Sequence, residues 1–376
     1  MTDKKLGGAG LRGQIAGQTA LCTVGKTGSG LTYCGYDIAD LAENTVFEEV
    51  AYLITKGGEL PNQSQLDEYS SKLKTLRGLP DALKTVLENI PADAHPMDVM
   101  RTGCSFLGNL ETEKDFFEQD HHIDRLLAVL PSMICYWYKY SHESVKIETE
   151  TDDDSIGAHF LHMLSGEKPA ELFEKVMHVS LVLYAEHEFN ASTFTARVCA
   201  STLSDIHSCI SGAIGTLRGP LHGGANEAAM ALIEKFNGPD HAEEEVLGML
   251  GRKEKIMGFG HAVYRESDPR NVIIKKWSKQ LSDFVEDQKL YAISERCEEV
   301  MWREKKLFCN ADFFHASTYH FMGIPTKLFT PIFVMSRLTG WAAHVKEQRG
   351  NNRIIRPSAE YAGPDARTVV PIQERS

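Results

Sequence analysis

The chain has 376 residues, of which 42% are hydrophobic and 24% charged, which indicates a folded globular protein and excludes a disordered one. Its net charge of -12 and the lack of a Lys/Arg block exclude a nucleic-acid surface, although a few local arginines can still bind a small anion. The eight cysteines form no C-x-x-C pair, the N-terminus has no apolar signal core and no stretch could span a bilayer. We therefore expect a soluble, cytoplasmic protein without nucleic-acid or membrane partners.

In chain order, the sequence first predicts a short N-terminal β-hairpin and then helices. Residues 19–36 alternate weakly around a Gly-rich turn at Lys26–Thr27, which is typical of a hairpin and has the wrong spacing for a phosphate-binding loop. Residues 46–61 have helical spacing and end in glycines and a proline. Asp81 is a candidate N-cap, and Pro96 is expected in the first turn of the next helix.

The second half of the chain also has helical periodicity. The apolar residues of segment 171–190 fall on one stripe, and His187 is predicted to continue that stripe inward. Segment 331–350 is a long apolar helix that carries Arg337. The fold class is therefore all-α. Glycine clusters at 215–224 and 258–260 suggest a hinged subdomain that rejoins the main body near residues 323–331.

Three candidate catalytic side chains lie in unusual sequence contexts. His222 precedes two glycines and a helix, where the helix end lowers the pKa of an imidazole and favours a neutral hydrogen-bond donor. His261 follows a Gly-Phe-Gly turn. Asp312 lies among apolar residues, where desolvation raises the pKa of a carboxylate and makes it a stronger base. The alternatives are a capping histidine, a packed ring and an N-cap aspartate.

Arginines supply the expected binding groups for an anionic ligand. Arg270, Arg337 and Arg356 are candidate carboxylate clamps, because a guanidinium pairs with a carboxylate through two parallel hydrogen bonds. Each of them could instead belong to a structural salt bridge, and His187 could be an ordinary core histidine. Two other function classes stay open: a metal-dependent hydrolase, which lacks H-E-x-x-H here and has only the weak pair His159 and His162, and a non-catalytic helical interaction protein.

Five stretches together resemble the citrate synthase family: EHEFNASTFTARV, GPLHGGANEAAM, GFGHAVYRESDPR, NADFF and IIRPSAEYAGP. The resemblance extends from Gly17 to Pro364. It implies a citrate synthase-like helical fold, with a large domain of residues 1–219 and 324–376 and a small domain of residues 220–323. It also implies a homodimer that condenses an acyl-CoA with oxaloacetate and hydrolyses the thioester, with no metal or cofactor, since the acyl-CoA is a substrate.

The same resemblance implies roles for individual residues. Asp312 would take a proton from the acyl-CoA, His222 would donate a hydrogen bond to the thioester oxygen, and His261 would polarise the ketone of oxaloacetate. The oxaloacetate carboxylates would be held by four residues of one chain and by an arginine of the partner: His187, Arg270, Arg337, Tyr69 and the partner's Arg356. Residues Lys255, Ile256, Met257, Gly258 and Phe259 would contact CoA.

Within the family, the sequences of segments 17–38, 94–103, 150–169 and 181–197 resemble the members that use propanoyl-CoA, and acetyl-CoA is the alternative donor. One departure concerns Ala311, which stands before Asp312 where that subgroup often has Leu. A smaller side chain there would enlarge the acyl pocket, and Tyr184 is a second candidate for its wall. Since one methylene changes binding by about 1–3 kcal/mol, we expect a graded preference.

Overall fold

A small antiparallel sheet opens the described chain. The computed structural model describes residues 11, 13–26 and 30–375. Its strands are β1 (Cys22–Lys26), β2 (Gly30–Tyr33) and β3 (Tyr36–Asp37), paired in the order β1-β2-β3 with Val24 opposite Leu31. The predicted hairpin is therefore confirmed and is extended by a third, short strand. The predicted turn includes Thr27, which lies outside the described residues.

The rest of the described chain is mostly helical, which confirms the all-α prediction. The helices of the first half are α1 (Ile38–Asn44), α2 (Phe47–Thr55), α3 (Gln63–Thr75), α4 (Asp81–Glu88), α5 (Pro96–Leu110), α6 (Gln119–Glu143), α7 (Ile156–Ser165) and α8 (Glu171–Tyr184). Those of the second half are α9 (Ala191–Ser201), α10 (Ile206–Leu217), α11 (Ala225–Ile233), α12 (Pro239–Gly251), α13 (Pro269–Phe284), α14 (Gln288–Lys305), α15 (Ala311–Phe321) and α16 (Phe329–Gly350). Short 3-10 helices cover Phe116–Glu118, Thr326–Leu328 and Ile372–Glu374.

Side-chain caps fix the starts of the helices that surround the site. Asn190 caps α9, Asp268 caps α13 with Pro269 as the first helical residue, and Asn310 caps α15. The prediction for Pro96 is confirmed, because α5 begins there. The prediction that Asp81 caps a helix is wrong: Pro80 holds the N-cap position, and Asp81 is the first residue of α4.

Two long helices, α6 and α16, are buried along most of their length and form the centre of the core. Helix α16 packs against α6, α8 and α9. Farther along the chain, α13 packs against α15, α12 against α14 and α11 against α15. Among the residues that the structure describes, no helix combines the length and the apolar character needed to cross a membrane.

Candidate active site

A cavity of about 780 Å³ brings most of the predicted site residues together. Its walls come from the end of α8 and the following loop, from the turn before α11, from the loop 255–263 and from the first turns of α13 and α15. The predicted residues that line it are His187, His222, Lys255, Ile256, Met257, Gly258, Phe259, His261, Arg270, Asp312 and Arg337. Segments far apart in the sequence thus meet at one cleft.

His222 lies in the turn before α11 with one ring nitrogen already occupied. Its Nε2 accepts a hydrogen bond from the backbone N–H of Ser192 (3.2 Å) and lies 2.8 Å from Ser192 Oγ, to which Trp341 Nε1 donates. The proton of the neutral ring is therefore on Nδ1. Burial, followed by the charge of Arg337, lowers the pKa of His222 to about 4. The direction of this shift is the predicted one, and Gly224 rather than His222 is the N-cap of α11.

His261 has the opposite tautomer. Its Nδ1 accepts hydrogen bonds from the backbone N–H groups of Val263 (3.1 Å) and Tyr264 (3.3 Å), so the proton of the neutral ring is on Nε2. Burial and the nearby charge of Arg270 lower its pKa to about 4. At neutral pH, His261 is therefore an uncharged donor with a fixed orientation.

Asp312 is held by a tyrosine at the end of α8. Tyr184 Oη donates a hydrogen bond of 2.7 Å to Asp312 Oδ1, and the carboxylate lies in the second position of α15, after its N-cap Asn310. The N-cap interpretation of Asp312 is therefore excluded. Burial raises the pKa of the Asp312 carboxyl, while the hydrogen bond from Tyr184 and the charge of Arg270 lower it in part.

Arg270 is anchored by a buried carboxylate. Its Nε and Nη2 donate to Asp268 Oδ1 (3.0 Å) and Oδ2 (2.8 Å), and Asp268 Oδ2 also accepts the backbone N–H of Ala311. The salt-bridge interpretation is thus correct for this arginine, which nevertheless lines the cavity. Asp268 links the start of α13 to the start of α15, and so aligns Arg270 with the turn that carries Asp312.

Arg337 projects from the middle of α16, fully buried. Its Nε donates to the carbonyl of Tyr184 (2.6 Å), and its guanidinium lies over the ring of Phe333 with a centroid distance of 4.6 Å. Burial lowers the pKa of this guanidinium, and the carboxylate of Glu186 is the largest opposing influence. Tyr184 therefore positions Arg337 through its carbonyl and Asp312 through its hydroxyl.

His187 lines the cavity, but not from a helix. Helix α8 ends at Tyr184, and Glu188 adopts a left-handed backbone conformation (φ 53°), so the predicted continuation of the helical stripe to His187 is wrong. Its Nε2 lies 3.1 Å from Tyr264 Oη, and its ring meets that of His261 edge to face at 5.2 Å. Burial and two arginines, Arg270 and Arg337, hold its pKa well below the usual range.

The loop 255–260 is tied to the start of α15. Asn310 N–H donates to the carbonyl of Gly258 (2.9 Å), and Gly260 N–H donates to that of Phe308 (2.8 Å). Gly258 has φ 90°, and a Cβ atom there would lie 2.7 Å from Phe313 Cδ2. Only glycine fits this combination of backbone angle and close approach.

Three of the predicted residues lie outside the cavity lining. Tyr69 is buried in α3 with its ring against Tyr52 (5.5 Å), so its predicted contact with oxaloacetate has no support. Arg356 is exposed in the segment after α16 and borders a neighbouring cavity of about 1020 Å³. Ala311 is buried beneath the site, whereas Tyr184 and Phe333 form part of the cavity wall.

Several supporting residues escape motif reasoning. Ser192 contacts His222 and accepts a hydrogen bond from Trp341, and Tyr264 contacts His187. These contacts join distant parts of the chain. Asp268 had a readable signal, because Asp-Pro before a periodic segment is typical of a helix start. Within residues 11, 13–26 and 30–375, no group of three or more His, Cys, Asp or Glu side chains could hold a metal ion.

Comparisons with known proteins agree with this geometry. The sequence profile described as "Citrate synthase, C-terminal domain" matches residues 10–358. A 2-methylcitrate synthase of Shewanella oneidensis is 70% identical over 372 residues, with 99% of each chain covered. Citrate synthase 2 of Bacillus subtilis is 42% identical, with 98% of this chain and 99% of the relative covered.

Solved structures with the same architecture include a ternary complex of citrate synthase from Thermoplasma acidophilum with carboxymethyl coenzyme A and oxaloacetate. That chain has a TM-score of 0.89 and 31% identity, with coverage of 97% of this chain and 98% of the other. Citrate synthase from Thermotoga maritima has a TM-score of 0.85 and 35% identity, with coverage of 98% and 99%. The likeness therefore extends over essentially the whole length of each protein.

Proposed function

This chain belongs to the citrate synthase family, and from that premise we propose that it condenses propanoyl-CoA with oxaloacetate and water to give 2-methylcitrate and CoA. The observation that carries the choice of acyl donor is the 70% identity, over nearly the full length, to a 2-methylcitrate synthase. Acetyl-CoA is the second candidate donor, because citrate synthases are also among the relatives at about 40% identity.

The first step forms an enol of the acyl thioester. Asp312 accepts a proton from the α-carbon through Oδ2, because Oδ1 is engaged with Tyr184. His222 donates its Nδ1 hydrogen to the thioester oxygen, where negative charge develops. A carboxylate with a raised pKa and a neutral, oriented donor suit this transfer from a weak carbon acid.

The second step joins the two substrates. The enol carbon attacks the ketone carbon of oxaloacetate, the thioester carbonyl re-forms, and the proton on its oxygen returns to His222 Nδ1. His261 donates its Nε2 hydrogen to the ketone oxygen, which becomes a hydroxyl, and the proton held by Asp312 replaces that hydrogen on the ring before the next turnover. Arg270, Arg337 and His187 line the same cavity and supply donors for the oxaloacetate carboxylates. Water then hydrolyses the thioester and releases CoA. The loop Lys255–Phe259 would hold CoA at the mouth of the cavity, and no metal or other cofactor takes part.

We also propose a homodimer in which Arg356 of each chain completes the site of the other. Residues 351–375 are almost entirely exposed and include large apolar side chains such as Ile354, Tyr361 and Val369, which a partner would cover. We further propose two domains, whose boundaries lie between residues 219 and 220 and between residues 323 and 324, and a cytoplasmic location. The packing of α12, α13, α14 and α15 on one another is compatible with that division.

The acyl donor is tested by the release of free CoA thiol with oxaloacetate and either propanoyl-CoA or acetyl-CoA. We expect a higher kcat/KM for propanoyl-CoA. A higher value for acetyl-CoA would identify a citrate synthase, and no thiol release with either donor would refute the family activity for this chain. Asp312→Ala, with its fold checked by circular dichroism, should remove the activity.

The shared site is tested by co-expressing Asp312→Ala and Arg356→Ala subunits that carry different affinity tags. Each homodimer should be inactive. In the purified heterodimer, one site combines both defects, whereas the other has an intact Asp312 and receives an intact Arg356. We therefore expect about half the wild-type activity per dimer if the two sites act independently. No recovery in the heterodimer would show that Arg356 does not act across the interface.

A further inference from the structure

The mechanism above leaves one buried carboxylate next to the site unused. Glu186 follows α8, directly before His187, and its side chain is fully buried. Its Oε1 accepts a hydrogen bond from His344 Nε2 at 2.8 Å, whereas its Oε2 has no hydrogen-bond partner among the described residues. Burying a carboxylate oxygen without a hydrogen-bond partner costs free energy, so Glu186 is a candidate for a functional role.

The protonation of this neighbourhood follows from a chain of contacts. Arg197 Nη1 donates to His344 Nδ1 (2.9 Å), so the proton of a neutral His344 ring is on Nε2, where it meets Glu186. Arg197 also pairs with Glu347 at 2.5 Å. Glu347 in turn accepts the backbone N–H of Ala20 (2.8 Å) and so fixes the N-terminal segment. Glu186 thus lies at one end of a buried chain of polar groups.

Helix α16 leaves room for this carboxylate at one position. A Cβ atom on Gly340 would overlap Glu186 Oε2 and would also lie only 2.6 Å from the carbonyl oxygen of Ala185. Gly340 N–H donates to that same carbonyl at 3.1 Å. Close packing of α16 against residues 185–186 therefore holds the carboxylate beside the helix that carries Arg337.

The two arginines of the site are neutralised in different ways. Arg270 is paired directly with Asp268, which occupies two of its nitrogens. Arg337 uses Nε for the carbonyl of Tyr184, and the hydrogen-bond partner of Glu186 is His344 rather than Arg337. Nevertheless, Glu186 lies beside Arg337, because its carboxylate packs on Gly340, three residues farther along α16, and its charge favours the protonated guanidinium. Because Glu186 offsets the charge of Arg337 without a hydrogen bond to it, the two terminal nitrogens of Arg337 are free for a ligand.

We propose that Glu186 is a positioning residue that acts through Arg337 and limits the affinity of the oxaloacetate site for its dianionic ligand. This inference rests on the proposed function. Without a ligand, the Glu186 anion offsets the buried charge of Arg337, and in the complex it repels the incoming carboxylate. Product and substrate are both carboxylates, so a moderated affinity also favours product release.

The test is calorimetric titration of oxaloacetate alone into wild type, Glu186→Gln and Glu347→Gln. Glu186→Gln removes the negative charge but keeps an oxygen that can accept the hydrogen bond from His344. Glu347→Gln is the control, because it removes a carboxylate that belongs to the same chain of polar groups but lies farther from Arg337. Glu186→Gln should bind oxaloacetate about tenfold more tightly, the size expected when one buried charge beside the binding arginine is removed. In turnover, its KM for oxaloacetate should fall, while its KM for propanoyl-CoA should not change.

The outcomes separate this inference from the function on which it rests. Wild type that binds no oxaloacetate would refute the proposed function. Wild-type binding with equal or weaker affinity in Glu186→Gln would overturn the inference alone, and so would equal tightening in Glu347→Gln. If Glu186→Gln does not fold, Glu186→Gln/Arg197→Gln removes one charge of each sign and is compared with Arg197→Gln. The same tightening is expected, and its absence would again overturn the role of Glu186.

Discussion

At the scale of single residues, His222 and His261 are oriented as complementary hydrogen-bond donors. His222 accepts a hydrogen bond from a backbone N–H group through Nε2, whereas His261 accepts one through Nδ1. Each ring therefore presents its remaining N–H to a ligand without having to rotate. Burial keeps both rings neutral at pH 7, because both pKa values are about 4. Donors fixed before the reaction need no reorganisation when charge develops on the substrate.

The contact of Tyr184 with Asp312 predicts a shift in the pH dependence of catalysis. Tyr184→Phe removes the hydrogen bond that stabilises the carboxylate, so the pKa of Asp312 should rise further. Since the base must be ionised, the acidic limb of the kcat/KM profile with propanoyl-CoA should move to higher pH. A loss of about tenfold in kcat at low pH is expected for a shift of one pH unit.

A second buried tyrosine supplies the control for that experiment. Tyr319 is paired with Ser180, and its hydroxyl does not contact Asp312. Tyr319→Phe should therefore leave the acidic limb where it is in wild type. A profile that is unchanged in Tyr184→Phe, or shifted equally in both variants, would contradict the role given to the Tyr184 hydroxyl.

At the scale of structural elements, the loop 255–260 and helix α15 form one unit. Two backbone hydrogen bonds join the loop to residues 308–310, and Gly258 rests on the ring of Phe313. The proposed CoA contacts and the base Asp312 therefore lie on connected segments. A displacement of the loop should disturb both binding and proton abstraction.

Gly258→Ala tests this connection. The substitution places a methyl group against Phe313 and forces alanine into a left-handed conformation, which costs about 1–3 kcal/mol of stability before any clash is counted. KM for propanoyl-CoA should rise and kcat should fall. Gly323→Ala is the matched control, because Gly323 also has a positive φ (72°) but has no atom within 4 Å of an added Cβ. Similar kinetic losses in both variants would count against a specific role for the loop.

Much of this site can be predicted from the sequence, because several site residues lie in contexts where burial costs free energy unless the residue has a function. Asp312 among phenylalanines and Arg337 in an apolar helix are expensive to bury, and the glycines beside His261 mark a close approach. What the sequence leaves open are pairings between distant segments. Ser192 became visible as a support only when the fold brought it to His222. The sequence marks Asp268 as a helix start, but it does not reveal the contact of Asp268 with Ala311.

The errors of prediction have physical causes as well. Periodicity extended α8 to His187, because apolar spacing carries no signal for the left-handed turn at Glu188. Asp81 is a good capping residue by type, yet Pro80 precedes it and has the extended backbone that the cap position requires. Tyr69 was assigned by resemblance alone, and its ring packs in the core of α3 and its neighbours.

At the scale of the whole molecule, the buried histidines couple folding to pH. His222 and His261 have pKa values of about 4, and His315 about 3, whereas the ordinary value is 6.5. Between pH 6.5 and 4, the unfolded chain takes up protons that the folded chain does not. The free energy of unfolding should therefore have its full value above pH 6.5 and should decrease steadily as the pH falls toward 4.

Asp312 acts in the opposite direction, since its raised pKa lets the folded state take up a proton first, but several buried histidines, His187 and His207 among them, outweigh this one carboxyl. Urea unfolding at several values between pH 7.5 and 4.5 measures the slope, with an expected loss of about 1 kcal/mol or more per pH unit. His315→Asn should flatten the slope. A stability that is constant or increasing toward pH 4.5 would contradict the neutral state of these rings.

The hydrogen bond from Tyr184 to Asp312 has a stereochemical consequence. With Oδ1 engaged, the carboxylate offers the substrate one oxygen, from one direction. The two hydrogens on the methylene of propanoyl-CoA are then no longer equivalent, because only one of them can point toward Oδ2. Propanoyl-CoA made with deuterium at one prochiral position should keep its label in the product, and the mirror-labelled substrate should lose it. The fate of the label would therefore report whether the base approaches the acyl chain from one side only.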